Sequence, residues 1–147
     1  MVMSLVALVV AGFLMWGAVS IISDGNGTGQ LSGRQRFGPL RLDRVAAEIA
    51  DRGPIFFPDA SPARRRDIYV QHLGETSAVG WLAFSAFAPG QSDRDCALIW
   101  RRPSQLFEDP CTGDTFSPMG EGLEQYPVEI DEDEGNLYVD LEDAGPE

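Results

Sequence analysis

The sequence predicts an all-β domain behind an apolar N-terminal segment, and three observations carry that prediction. From residue 54 onward, short runs rich in aromatic and β-branched residues recur between Gly and Pro. Only residues 43–52 repeat their apolar side chains at helical spacing. A closing pair of runs, residues 127–130 and 137–141, flanks an acidic turn that ends in Gly135-Asn136, as the arms of a hairpin would. Strand after strand joined by short turns makes a β-sandwich or small barrel.

Taken in order, residues 1–23 carry no charged side chain. As a helix, the first 22 would span about 33 Å at about 1.5 Å per residue, enough to cross a bilayer core. A cleaved signal peptide is the alternative. No Lys or Arg precedes the apolar run, and Ala18-Val19-Ser20 is only a fair cleavage site, which favours a retained transmembrane anchor or signal-anchor over residues 1–23. Residues 24–41 are expected to be a flexible linker, because 24–33 is rich in Gly with Ser, Thr and Asn.

The β domain is expected over residues 42–141. Its short N-terminal helix places Leu42, Val45, Ala46 and Ile49 on one face, and Gly53-Pro54 stops it. Residues 54–57, 67–73 and 79–87 follow as strands. The third is apolar on both alternating sets, as a central strand covered on two faces requires. A further short strand is expected at 97–100, then the closing hairpin, and residues 142–147 form an acidic tail.

The charge of −12 comes from 23 acidic and 11 basic residues, and every basic residue is Arg. Such a domain repels phosphate backbones on average, which argues against a nucleic-acid partner. With one His and no Lys, and with no Ser/His/Asp set or Gly-rich phosphate loop, most acid–base and nucleophilic schemes lack parts, so no enzyme activity or cofactor is expected and no small-molecule substrate is identified.

Two cysteines stand in loops with a recognisable layout. Asp109-Pro110-Cys111-Thr112-Gly113, with Phe116 beyond, resembles the second cluster-binding loop of Rieske iron–sulfur proteins, patterned C-P-C-H-G-x-x-F. Gln91-Ser92-Asp93-Arg94-Asp95-Cys96 is similar to their first loop, C-x-H-x-x-C. The resemblance implies that Gln91, Asp93, Asp109 and Thr112 stand at degenerate ligand positions, and that Cys96 and Cys111 keep the loop disulfide. A Rieske centre takes two Cys and two His; two Cys and one His cannot supply it, and His72 lies outside both loops. The resemblance covers about residues 54–141 and implies three stacked antiparallel sheets. It departs from the family at residues 117–122, where a Gly-Pro-Ala-Pro stretch is missing.

Each candidate also has a bland role. A bridge enclosing residues 97–110 is expected to be a permanent staple rather than a redox centre, since Asp93, Asp95, Asp109 and Asp114 surround it and would raise a thiol pKa. Those four aspartates and the run 131–134 are expected to be solvated, with no calcium-loop spacing. Arg64-Arg65-Arg66 is expected to be a solvated turn, and His72 a packed or edge histidine.

On orientation the signals conflict. Arg34, Arg36 and Arg41 follow the span, which favours a cytoplasmic domain. A lasting disulfide and the Rieske resemblance favour the extracytoplasmic side of the plasma membrane, and that side is expected. The expected function is a single-pass, membrane-anchored, Rieske-like domain without a cluster, acting as a structural or accessory subunit of a membrane complex, respiratory complexes included. Two alternatives remain: an electron-transfer protein using a nonstandard cofactor or its disulfide, and an unrelated anchored β-domain that binds an extracellular partner.

Overall fold

The structure is a computed structural model and describes residues 36–61 and 66–142. The expected anchor at 1–23, residues 24–35 of the expected linker and residues 143–147 of the tail lie outside the described residues. Among the described residues no helix is long and apolar enough to cross a membrane.

The elements run β1 (Arg36–Arg41), α1 (Leu42–Arg52), β2 (Ile55–Phe57), β3 (Ile68–His72), β4 (Trp81–Ser85), a 3₁₀ turn (Arg94–Cys96), β5 (Ile99–Arg101), β6 (Leu106–Glu108), β7 (Thr115–Phe116), β8 (Gln125–Tyr126), β9 (Val128–Asp131) and β10 (Asn136–Asp140). They form three antiparallel sheets ordered β1-β10-β9, β2-β3-β4-β8 and β5-β6-β7.

The four-stranded sheet lies between two cores, and the two-residue period of its strands sorts side chains between them. On β3, Ile68 and Val70 join one core while Tyr69 joins the other; on β4, Trp81 and Ala83 face the first, Leu82 and Phe84 the second. The first core is closed by α1 and by Leu137 and Val139 of β10, the second by Leu98, Phe107 and Leu123. This explains why 79–87 is apolar on both sets: β4 is an interior strand with a core on each face. Phe84 and Phe107 are fully buried and meet edge to face at 5.3 Å. Truncating either to Ala would cost about 3–5 kcal/mol.

Helix α1 buries Leu42, Val45 and Ile49, as the sequence spacing predicts, with Asp43 in its first turn and Arg52 in its last. Those charges complement the helix dipole. The N–H of Gly53 returns to the Ile49 carbonyl at 2.7 Å and ends the helix.

The linker expectation needs correction at its C-terminal end. Residues 36–41 are strand β1, paired with β10 as Arg36↔Asp140, Phe37↔Val139, Leu40↔Leu137 and Arg41↔Asn136, with an irregularity between Phe37 and Leu40. Gly38-Pro39 falls in that irregularity and disguises the strand in the sequence. The site demands glycine: φ is 131°, and a Cβ would lie 2.8 Å from the Leu137 carbonyl oxygen. A proline is tolerated because β1 is an edge strand. Phe37 and Leu40 pack on the first core, which gives the segment its reason to order.

Candidate functional site

Pairing Ile99 with Glu108 puts the end of the first loop beside the start of the second. That brings Cys96, on the 3₁₀ turn, to Cys111, and the two are joined in a disulfide with Cα atoms 5.4 Å apart. Cys96 is buried, whereas Cys111 is exposed.

The four degenerate positions lie in these loops, and each side chain bonds within its own loop. The Gln91 Oε1 accepts from the N–H groups of Ser92 (2.9 Å) and Asp93 (3.1 Å). The Asp93 Oδ1 accepts from the Asp95 N–H at 3.0 Å and opens the turn that carries Cys96. In the second loop, the Asp109 Oδ1 accepts from the N–H groups of Cys111 (2.7 Å) and Thr112 (3.3 Å). The Thr112 hydroxyl donates to the Asp114 carboxylate at 2.9 Å and accepts from the Asp114 N–H at 3.2 Å. Short polar side chains that bond backbone one or two residues on are how Asn, Asp, Ser and Thr hold tight turns.

One expectation about the acids is overturned. Asp93, Asp95 and Asp114 are exposed, but Asp109 is only 1% exposed, so it is not a solvated loop acid. Its backbone explains the burial: its N–H donates to the Asp114 carbonyl and its carbonyl accepts from Gly113, both at 2.8 Å, folding the loop over it. The Oδ2 atom of Asp109 has no hydrogen-bond partner among the described residues.

A [2Fe–2S] centre of the Rieske type is held by two thiolates and two imidazoles. Here both cysteines are spent on the disulfide, and the ligand positions offer an amide, two carboxylates and a hydroxyl that turn back on their own loops. This donor set does not fit that cluster. Among the described residues no three His, Cys, Asp or Glu side chains converge as a metal-binding group.

Two long-range contacts fix the first loop, and the sequence gives no signal for either. Arg94 ion-pairs with Asp59 and lies 3.4 Å from Asp67, a carboxylate only 4% exposed that also accepts the Asp59 N–H at 2.8 Å. The hydrogen bond that Arg94 donates to Asp59, then the charges of Asp67 and Asp59, hold its guanidinium protonated beyond its ordinary range. The Tyr69 hydroxyl donates to the Leu98 carbonyl at 2.7 Å, and burial pushes its pKa up to about 12. On the neighbouring hairpin, a hydrogen bond from Arg101, aided by its charge, holds the Glu108 carboxyl below its ordinary range.

His72 lies outside both loops, as the sequence implies. Its ring stacks on Trp81 at 4.4 Å and its Nε2 lies 2.9 Å from the Thr76 carbonyl, the environment of a packed histidine. Of the three consecutive arginines only Arg66 is described. It is partly buried over the Tyr126 ring at 5.6 Å and 3.9 Å from Glu124, so it is no freely solvated turn residue.

No family model and no curated protein matches the chain. Among solved structures it is similar to the crystal structure of the cyanobacterial plasma membrane Rieske protein PetC3 from Synechocystis PCC 6803, at 17% identity and a TM-score of 0.50. The similarity covers 72% of this chain and 98% of that one. At such low identity the likeness speaks for the fold alone, and it agrees with the three sheets and the disulfide-joined loops. The domain therefore has a Rieske-type fold.

Proposed function

We propose that this chain is a membrane-anchored Rieske-like domain that carries no iron–sulfur cluster and serves as a structural or accessory subunit of a membrane complex. The observation that supports this most is the fate of the four ligand positions. Gln91, Asp93, Asp109 and Thr112 are all engaged in holding their own loops. A redox tip has become a cross-linked cap.

In this proposal residues 1–23 span the plasma membrane once and the β domain stands on the extracytoplasmic side, where its disulfide persists. Support for the setting comes from the uncharged N-terminal run and from the plasma membrane origin of the similar Rieske protein. The domain contributes surface rather than chemistry, and its partners are other subunits of the complex.

The test is direct. Full-length protein purified from native membranes should carry no stoichiometric iron or acid-labile sulfide and no visible iron–sulfur absorption, and it should co-purify with integral membrane proteins. A Rieske-type electron paramagnetic resonance signal with about two irons per chain would refute the proposal.

A further inference from the structure

Strands β5 and β6 have two ends. One carries the disulfide loops; at the other, the turn after Arg101↔Leu106 reaches past the end of α1 and the His72 end of β3. A cleft of about 330 Å³ opens there, at the low end of the size range of small-molecule sites.

Its lining contrasts with the acidic composition of the chain. Acids outnumber bases 23 to 11 in this chain, yet among the described residues no Asp or Glu side chain lines the cleft. The charged group on its wall is Arg102, which donates through one Nη to the Asp51 carbonyl at the end of α1 and is thereby held beside the opening. The flat wall is the Trp100 indole, fixed behind by Phe107 at 4.8 Å. The indole Nε1 lies against Gly53, where a Cβ would come within 2.4 Å of it, so only glycine allows this approach. It has no hydrogen-bond acceptor among the described residues, while Leu73, half exposed, and Pro118 add apolar surface.

A fixed guanidinium beside an aromatic wall and an apolar rim, with no carboxylate among the described lining side chains, matches one ligand chemistry. We infer that this cleft binds a small planar carboxylate, its anionic end on Arg102 and its apolar body against Trp100 and Leu73. Arginine suits the role because its fork pairs with a carboxylate in two parallel hydrogen bonds. The site lies at the opposite end of the β5-β6 hairpin from the degenerate ligand positions, and the inference stands whether or not the accessory-subunit proposal does.

The test uses the full chain in a nonionic detergent, with benzoate and 2-naphthoate as probes and benzamide as the neutral control. Titration followed by ¹⁵N-resolved NMR should shift the Trp100 indole signal and saturate with a dissociation constant on the order of 0.1–1 mM, as expected for about ten heavy atoms. Arg102→Ala should weaken benzoate by about tenfold or more, Arg102→Lys should recover part of that loss, and Leu73→Glu, at the solvent-exposed rim, should weaken it without touching the core. Benzamide should bind far more weakly than benzoate. No saturable shift up to roughly 10 mM, equal binding of benzoate and benzamide, or unchanged affinity in both Arg102→Ala and Leu73→Glu would overturn the inference.

Discussion

The Asp109 carboxylate accepts a hydrogen bond from the backbone N–H of Cys111 at 2.7 Å. The position that the Rieske resemblance aligns with an iron ligand holds the cystine loop here. The side chain is buried, and the same Oδ1 also takes the Thr112 N–H at 3.3 Å, so one carboxylate holds two successive amides of the turn.

Replacing Asp109 by Ala should lower stability by about 0.5–2 kcal/mol, the range for losing a side chain that caps backbone N–H groups. The loss stays modest because Cys111 and Thr112 are exposed and water can take over their amides. Urea unfolding is the measurement, and amide exchange at Cys111 and Thr112 should quicken with it. Unchanged exchange at both would remove the organising role.

Cys111→Ser should cost about 2–5 kcal/mol, the usual penalty for losing a native bridge. Thermal unfolding of wild type and variant, with and without a reductant, checks this. Only the oxidised wild type should stand apart. Four equal melting temperatures would show that the bridge contributes nothing.

The frame can be challenged by giving the ligands back. A variant with Gln91→Cys, Asp93→His, Asp109→Cys and Thr112→His restores the two-Cys, two-His donor set around an existing disulfide. After reconstitution it should hold about two irons per chain with a Rieske-type spectrum, whereas wild type treated alike should hold none. A folded variant that takes up no iron would mean that the loops have drifted from cluster geometry.

Alkaline pH should unfold the domain in a way that reports on its tyrosines. Burial raises the Tyr69 pKa to about 12, and burial followed by the hydrogen bond to Glu124 does the same for Tyr126. A group whose pKa rises on folding contributes stability that is complete below its unfolded pKa, about 10, and is lost as pH climbs toward 12. Each such tyrosine lowers stability by at most about 1.4 kcal/mol per pH unit in that window. The chain has no Lys to blur the signal. Tyr69→Phe should flatten the slope by roughly half and cost about 1 kcal/mol at neutral pH, where the Leu98 carbonyl loses its donor. Urea unfolding at several alkaline pH values reads both; a slope indifferent to Tyr69→Phe would contradict the assignment.

What the sequence disclosed followed the strength of its local signals. Leu42, Val45 and Ile49 announce α1, the doubly apolar run announces β4, and the acidic turn announces the β9-β10 hairpin, because each pattern repeats over several residues. Strands β6, β7 and β8 are two or three residues long and give periodicity nothing to work on. Strand β1 was hidden by Gly38-Pro39, and its order comes from β10, about a hundred residues away. At the site, the paired cysteines were legible as a pattern. The burial of Asp109 and the clasp from Arg94 to Asp59 and Asp67 were not, because each depends on folding the chain back over itself.

The pairing of β1 with β10 has a consequence for anyone who would trim this protein. A fragment starting at Leu42, where the helix begins, would leave Asn136–Asp140 with a row of free N–H and C=O groups along one side. Leu137 and Val139, fully buried in the intact domain, would lose the cover of Phe37 and Leu40. An uncovered, largely apolar strand invites a second molecule to lay its own strand there. Such a fragment should dimerise or precipitate, and what then looked like self-association would be the scar of the missing strand.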